Sequence, residues 1–155
     1  TMTKVITENL IDLNIEAEDK LGAIRVLSNR IEAAGRLYDG DGYLKSVIER
    51  EELTTTGIGF GIAIPHGKCP HVKETTVAFG RLTNYLDWQS LDGQEVGLVF
   101  LLAVPEECKG DQHLKIIASL SRKLIHQDFR ETLQNAKTKE EIVNLLNGTL
   151  AAVVA

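Results

Sequence analysis

An α/β layered sandwich, with a mixed central β-sheet flanked by helices, is the fold class that this sequence predicts. Runs with apolar residues at helical spacing interleave with short β-type runs along the whole chain. One of those runs, Val96 to Val104, is apolar on both alternating faces, the pattern of a central strand covered on two sides. At 155 residues, 43% hydrophobic and 25% charged, the chain suits a single soluble domain (1–155) with a core of its own.

The elements follow in order. Asn9 to Ile15 reads as a short entering strand. After Asp19, the residues Leu21, Ile24, Leu27 and Ile31 recur at helical spacing, and Gly35 supplies a C-terminal stop. Asp39 to Gly42 is turn material, and Asp41 is expected to cap a second helix running to about Glu51. Ile58 to Ile64 is then a strand, cut off by Pro65, which has no N–H for a ladder. Thr75 to Leu82 is the next strand, and Tyr85 to Gln94 a turn-rich excursion holding the only tryptophan, Trp88. Beyond the central strand, Asp111 is expected to cap a helix with Leu114, Ile117, Leu120, Leu124 and Ile125 on its apolar face. A short helical piece follows Asp128. The last helix opens on a Thr138–Glu141 capping box and is expected to stop at Gly148, leaving 149–155 as an apolar tail on a core of about 5–147.

Composition excludes some classes of function. Net charge is -5, with 17 basic and 22 acidic residues, and the basic ones are scattered. Nucleic acid is therefore not expected as a partner, because phosphate neutralisation needs a concentrated positive face. The run Val96 to Pro105 is too short to span a bilayer, so no direct membrane insertion is expected. The first residues lack a basic segment followed by an apolar core, so no signal peptide is expected. Two distant cysteines, Cys69 and Cys108, suggest no disulfide framework and fit a reducing cytoplasm.

The chemistry-bearing stretch is GIGFGIAIPHGKCPH, Gly57 to His71. Its glycines fit neither a dinucleotide fingerprint nor a P-loop, since no helix follows them. They read instead as strand positions with one face left bare. His66, Cys69 and His71, joined by His113 or Cys108, have spacing that zinc can use, and a zinc protein stands as one alternative. His71 and His126 otherwise read as structural or merely exposed. His66 differs, because a strand end with proline before it and glycine after it offers the imidazole from a rigid support. His113 falls in the first turn of a helix, where dipole and free amides favour anions. Arg50 ends the helix before the glycine stretch and suits bidentate phosphate contact. Together these are parts for handling an anion.

Glu51, Ile58-Gly59 and Ile62-Ala63-Ile64-Pro65-His66-Gly67 resemble the phosphohistidine signature of the fructose/mannitol-type enzyme IIA of the bacterial phosphotransferase system. VFLLAVPEE and HLKIIASLSRKL are similar to that family's second half, and the resemblance runs from about Val5 to Asn147. It implies an α/β sandwich and a cytoplasmic phosphotransferase component with a phosphohistidine intermediate. His66 would accept the phosphoryl group on Nε2 from phosphorylated HPr, its Nδ1–H held by an acceptor such as a carbonyl. The group would pass to a cysteine of a IIB domain, and indirectly serve a membrane IIC, for uptake of a fructose-like sugar. Arg50 and His113 match the family's arginine and second histidine, and Glu51 its acidic position in a supporting role. No nucleotide, metal or other cofactor is implied, because the donor is already a phosphohistidine. Phe60, Ile62 or the Trp88 loop would supply an apolar docking rim. A regulatory nitrogen-type IIA, phosphorylated on the same His66, is the alternative within the family.

Overall fold

The computed structural model describes residues 4–107 and 111–154. A 3-10 turn, Glu8–Leu10, leads into strand β1, Ile11–Ile15. Helices α1, Lys20–Ala33, and α2, Gly40–Leu53, follow. Then come β2, Gly57–Gly59; β3, Ile62–Ala63; β4, His66–Cys69; β5, Thr76–Leu86; and β6, Val96–Pro105. The chain closes with α3, Gln112–Leu124; α4, Gln127–Asn135; and α5, Lys139–Val154.

The sheet is mixed, ordered β1-β5-β6-β3-β2, with β4 also on β6. β6 is buried along its whole length, as its unbroken apolar run requires. It pairs antiparallel with β5 on one edge and parallel with both β3 and β4 on the other. Helices α1 and α2 pack together against β5 and β4, while α3 and α5 pack together against β6 and β1. The α/β sandwich expected from the pattern is the fold observed.

Several boundaries differ from expectation, each for a physical reason. Asp39, not Asp41, caps α2: its Oδ1 accepts from Gly42 N–H at 3.2 Å, and Asp41 sits inside the first turn, where a carboxylate suits the helix dipole. Ile58 to Ile64 is not one strand. Gly59, Phe60 and Gly61 have φ of 105°, 59° and 78°, so the chain reverses there and β2 pairs antiparallel with β3. Asp92 holds the turn by accepting from Phe60 N–H at 3.1 Å. Only Gly57 keeps the bare-face reading, for a Cβ there would collide with Ser90.

Pro65 does not end the strand run either. It lies between β3 and β4, lacks a donor, and still accepts from Leu102 N–H at 3.0 Å, so both pieces stay on β6. His66 thus begins a strand rather than following one. The apolar face of α3 is rotated from the expected one: Ile116, Leu120 and Leu124 are buried, whereas Leu114 and Ile125 are exposed. Gly148 does not stop α5, which continues to Val154 with Leu150 buried. A mid-helix glycine costs about 1 kcal/mol, less than the roughly 2 kcal/mol from burying a leucine.

Candidate active site

His66 is placed by pairing on one side and by helices on the other. In the parallel ladder it lies opposite Leu102, and β6 is the strand that β4 pairs with among the described residues. Tyr43 of α2 donates its hydroxyl hydrogen to that same Leu102 carbonyl at 2.7 Å, which fixes α2 against the strand. Gly67 permits the close approach, since a Cβ there would lie 3.0 Å from Val47 Cγ2 and 3.1 Å from Tyr43 Cε1. The last turn of α2 then carries Arg50 beside His66, and the first turn of α3 carries His113 to the same place.

An open cleft of about 460 Å³ results, lined by Arg50, His66, Lys68 and His113, with Ile58, Leu114 and Ile117 as its apolar part. The His66 and His113 rings lie 6.0 Å apart between centroids, inclined by 40°. Arg50 Nη1 donates to Thr54 O at 2.9 Å and Thr54 Oγ1 at 3.3 Å, which folds the guanidinium over the end of α2. His113 Nδ1 is buried without a hydrogen-bond partner among the described residues, so that ring is placed by α3 rather than by a bond at that nitrogen.

His66 Nδ1 lies 3.0 Å from the Ile64 carbonyl oxygen. A carbonyl only accepts, so this contact places the proton on Nδ1 and leaves the Nε2 lone pair free. Burial pushes the His66 pKa below the ordinary imidazole value, and the charges of Arg50 and His113 push the same way. The Ile64 hydrogen bond and the charge of Glu51 oppose them without reversing the direction. His113 is lowered too, by burial and then by Lys68, against Asp111. A neutral imidazole beside a guanidinium and an ammonium can attack an electrophile whose oxygens carry negative charge.

Of the residues named from sequence, His66, Arg50 and His113 share this cleft. Glu51 does not line it. The Glu51 carboxylate is buried behind the cleft, accepting from Thr56 N–H at 2.9 Å and from the Thr56 hydroxyl, and pairing with Lys20 Nζ at 3.4 Å. The zinc grouping is not assembled. Alternation along β4 turns Cys69 to the buried side, away from His66, and His71 lies past the strand, 3.8 Å from Asp39 Oδ2 at the start of α2. No cluster of three or more metal-ligating side chains occurs among the described residues, and Cys108 lies outside them.

The expected docking rim is corrected in part. Ile62 is fully buried on its ladder with β6, and Trp88 is fully buried with Nε1–H turned inward to Thr56 Oγ1, whereas Tyr85 and Leu91 of the same excursion are exposed; Phe60 is half-exposed, with Arg130 stacked 4.6 Å over its ring. Sequence reasoning pointed to backbone amides near Gly67 and Lys68 but missed the Lys68 side chain and Thr56. Lys68 had a usable signal, for it lies two residues beyond His66 on one strand and so on one face. Thr56 had none, because its partners come together only in the folded chain.

Residues 4–148 match the family described as phosphoenolpyruvate-dependent sugar phosphotransferase system, EIIA 2. The chain is 41% identical over 137 residues to the fructose-specific EIIA component of Haloferax volcanii, covering 88% of each chain. It is 36% identical over 146 residues to the fructose-specific EIIABC component of Bacillus subtilis, where it covers 94% of this chain but only 23% of that longer relative. Among solved structures, the nitrogen regulatory protein IIA-Ntr of Neisseria meningitidis superposes with a TM-score of 0.84 at 30% identity, over 92% of this chain and 96% of that one. The mannitol enzyme IIA of Escherichia coli, solved in complex with phosphorylated mannitol enzyme IIB, gives 0.78 at 26% identity, over 92% and 97%. The signature residues, the mixed-sheet sandwich and these likenesses agree: the chain belongs to the EIIA type 2 family of the phosphoenolpyruvate-dependent sugar phosphotransferase system, a family of phosphoryl-relay components.

Proposed function

We propose that this chain, as one EIIA module spanning residues 1–155, carries a phosphoryl group on His66 Nε2 in the cytoplasm. The observation that supports this best is the Nδ1 contact to the Ile64 carbonyl inside a cleft shared with Arg50 and His113. The free Nε2 lone pair attacks phosphorus of phosphorylated HPr. A new N–P bond forms as the donor N–P bond breaks, and its electron pair returns to the donor imidazole. Arg50 and His113 stabilise the charge spread over the equatorial oxygens. In the second transfer a cysteine thiolate of a IIB partner attacks, and the His66 N–P bond breaks in turn.

The likeness to fructose-specific components favours uptake of a fructose-like sugar, with a membrane IIC reached only through IIB. The likeness to IIA-Ntr supports a second reading, in which the same phosphohistidine regulates other proteins. One experiment tests the shared core and separates the two. With enzyme I, HPr and phosphoenolpyruvate, the protein is expected to take up one acid-labile phosphoryl group, and His66→Ala none. Onward transfer to a fructose-type IIB cysteine is expected for transport. Retention of the label with every fructose-type and mannitol-type IIB offered would favour regulation, and uptake by His66→Ala would overturn both.

A further inference from the structure

We propose that Glu51 is a positioning residue, which acts through Thr56 to hold the Ile64 carbonyl where it fixes the His66 ring. Glu51 never reaches the cleft, yet a chain of bonds joins its carboxylate to the imidazole. It accepts from both the backbone N–H and the hydroxyl of Thr56. The Thr56 carbonyl accepts from Ile64 N–H at 3.0 Å. The Ile64 carbonyl in turn accepts from His66 Nδ1 at 3.0 Å. Trp88 Nε1–H donates to Thr56 Oγ1 at 3.2 Å, so every polar group of Thr56 is engaged and the residue has one orientation.

A buried carboxylate is costly unless donors surround it. Glu51, 4% exposed, has such donors from Thr56 and an ion pair with Lys20. This expense is concentrated at the joint that needs it. The pieces β2 and β3 are three and two residues long, too short to define the position of Ile64 by their own ladder. The bond from Ile64 to Thr56 lies beyond that ladder and extends it by one step. Glu51 also follows Arg50 on the same helical turn, so one turn of α2 sets the guanidinium in front of His66 and the support behind it.

This proposal rests on His66 as the phosphoryl carrier, and its test reads the ring directly. In the wild-type protein, nitrogen-15 NMR of the His66 side chain is expected to show Nδ1 protonated and Nε2 bare. Glu51→Gln replaces an acceptor oxygen with an amide that faces donors. It is expected to mix the two tautomers and to slow phosphoryl uptake from phosphorylated HPr about ten- to a hundredfold, chiefly in kcat. Thr56→Val, which keeps the backbone bonds but loses the hydroxyl, is expected to mix them in part, and Thr56→Ser to restore the single tautomer. A single wild-type tautomer in both Glu51→Gln and Thr56→Val would overturn the proposal, as would Thr56→Ser behaving like Thr56→Val. Absence of phosphate on wild-type His66 would instead defeat the carrier reading, and the tautomer comparison, made on unphosphorylated protein, distinguishes the two failures.

Discussion

An imidazole is a nucleophile only while one ring nitrogen keeps its lone pair, so in the relay we propose the proton on His66 decides when the site can react. Burial lowers its pKa first, and Arg50 and His113 lower it further. Protonation removes the nucleophile, so uptake is expected to fall as pH drops through a value below the roughly 6.5 of a free imidazole. Arg50→Ala takes away a positive charge that opposes protonation. Its acid limb should therefore move to higher pH, while the rate at neutral pH falls about a hundredfold with the lost stabilisation of the transferring group. Rapid-quench measurement of uptake across pH 5 to 8, a range on the order of the imidazole titration, checks both; a limb moving to lower pH would contradict the charge assignment.

At the scale of elements, the site depends on α2 lying close against β4. Gly67→Val would push a branched side chain into Val47 and Tyr43, which a Cβ alone would already crowd at 3.0 and 3.1 Å. Overpacking of this kind costs about 1–3 kcal/mol. Because Arg50 rides on α2, uptake should slow as well, measured alongside the urea midpoint; an unchanged midpoint would show that α2 is not held by this contact. The helices were legible because their apolar spacing is local, and β6 because burial on both faces leaves an unbroken apolar run. His66 and its neighbours were legible as a contiguous motif. The hairpin at Phe60 was not, since its positive φ values are stabilised by Asp92, thirty-two positions away, through a bond that local pattern cannot show. The role of Pro65 was misread because a missing donor matters only if the ladder asks for one there. At Pro65 the bond to β6 uses its carbonyl.

The whole molecule ties its last helix to the site. Ser119 of α3 donates to the Thr149 carbonyl of α5 at 3.2 Å, and Leu150 is buried in the core beside it. Reading Gly148 as a stop discarded this contact, which burial makes worth more than the glycine costs. Deletion of residues 149–155 is therefore expected to lower the unfolding free energy by about 2 kcal/mol, seen as a reduced urea midpoint, and to slow uptake by loosening the helix that carries His113. An unchanged midpoint would contradict the packing of α5. The relay itself is tested most directly by mapping the phosphate. After reaction with enzyme I, HPr and phosphoenolpyruvate, the label should be located by residue with mass spectrometry and by ring nitrogen with phosphorus-31 and nitrogen-15 NMR. The expected result is one phosphoryl group on Nε2 of His66; a label on His71, His113 or His126, or on Nδ1 of His66, would contradict it.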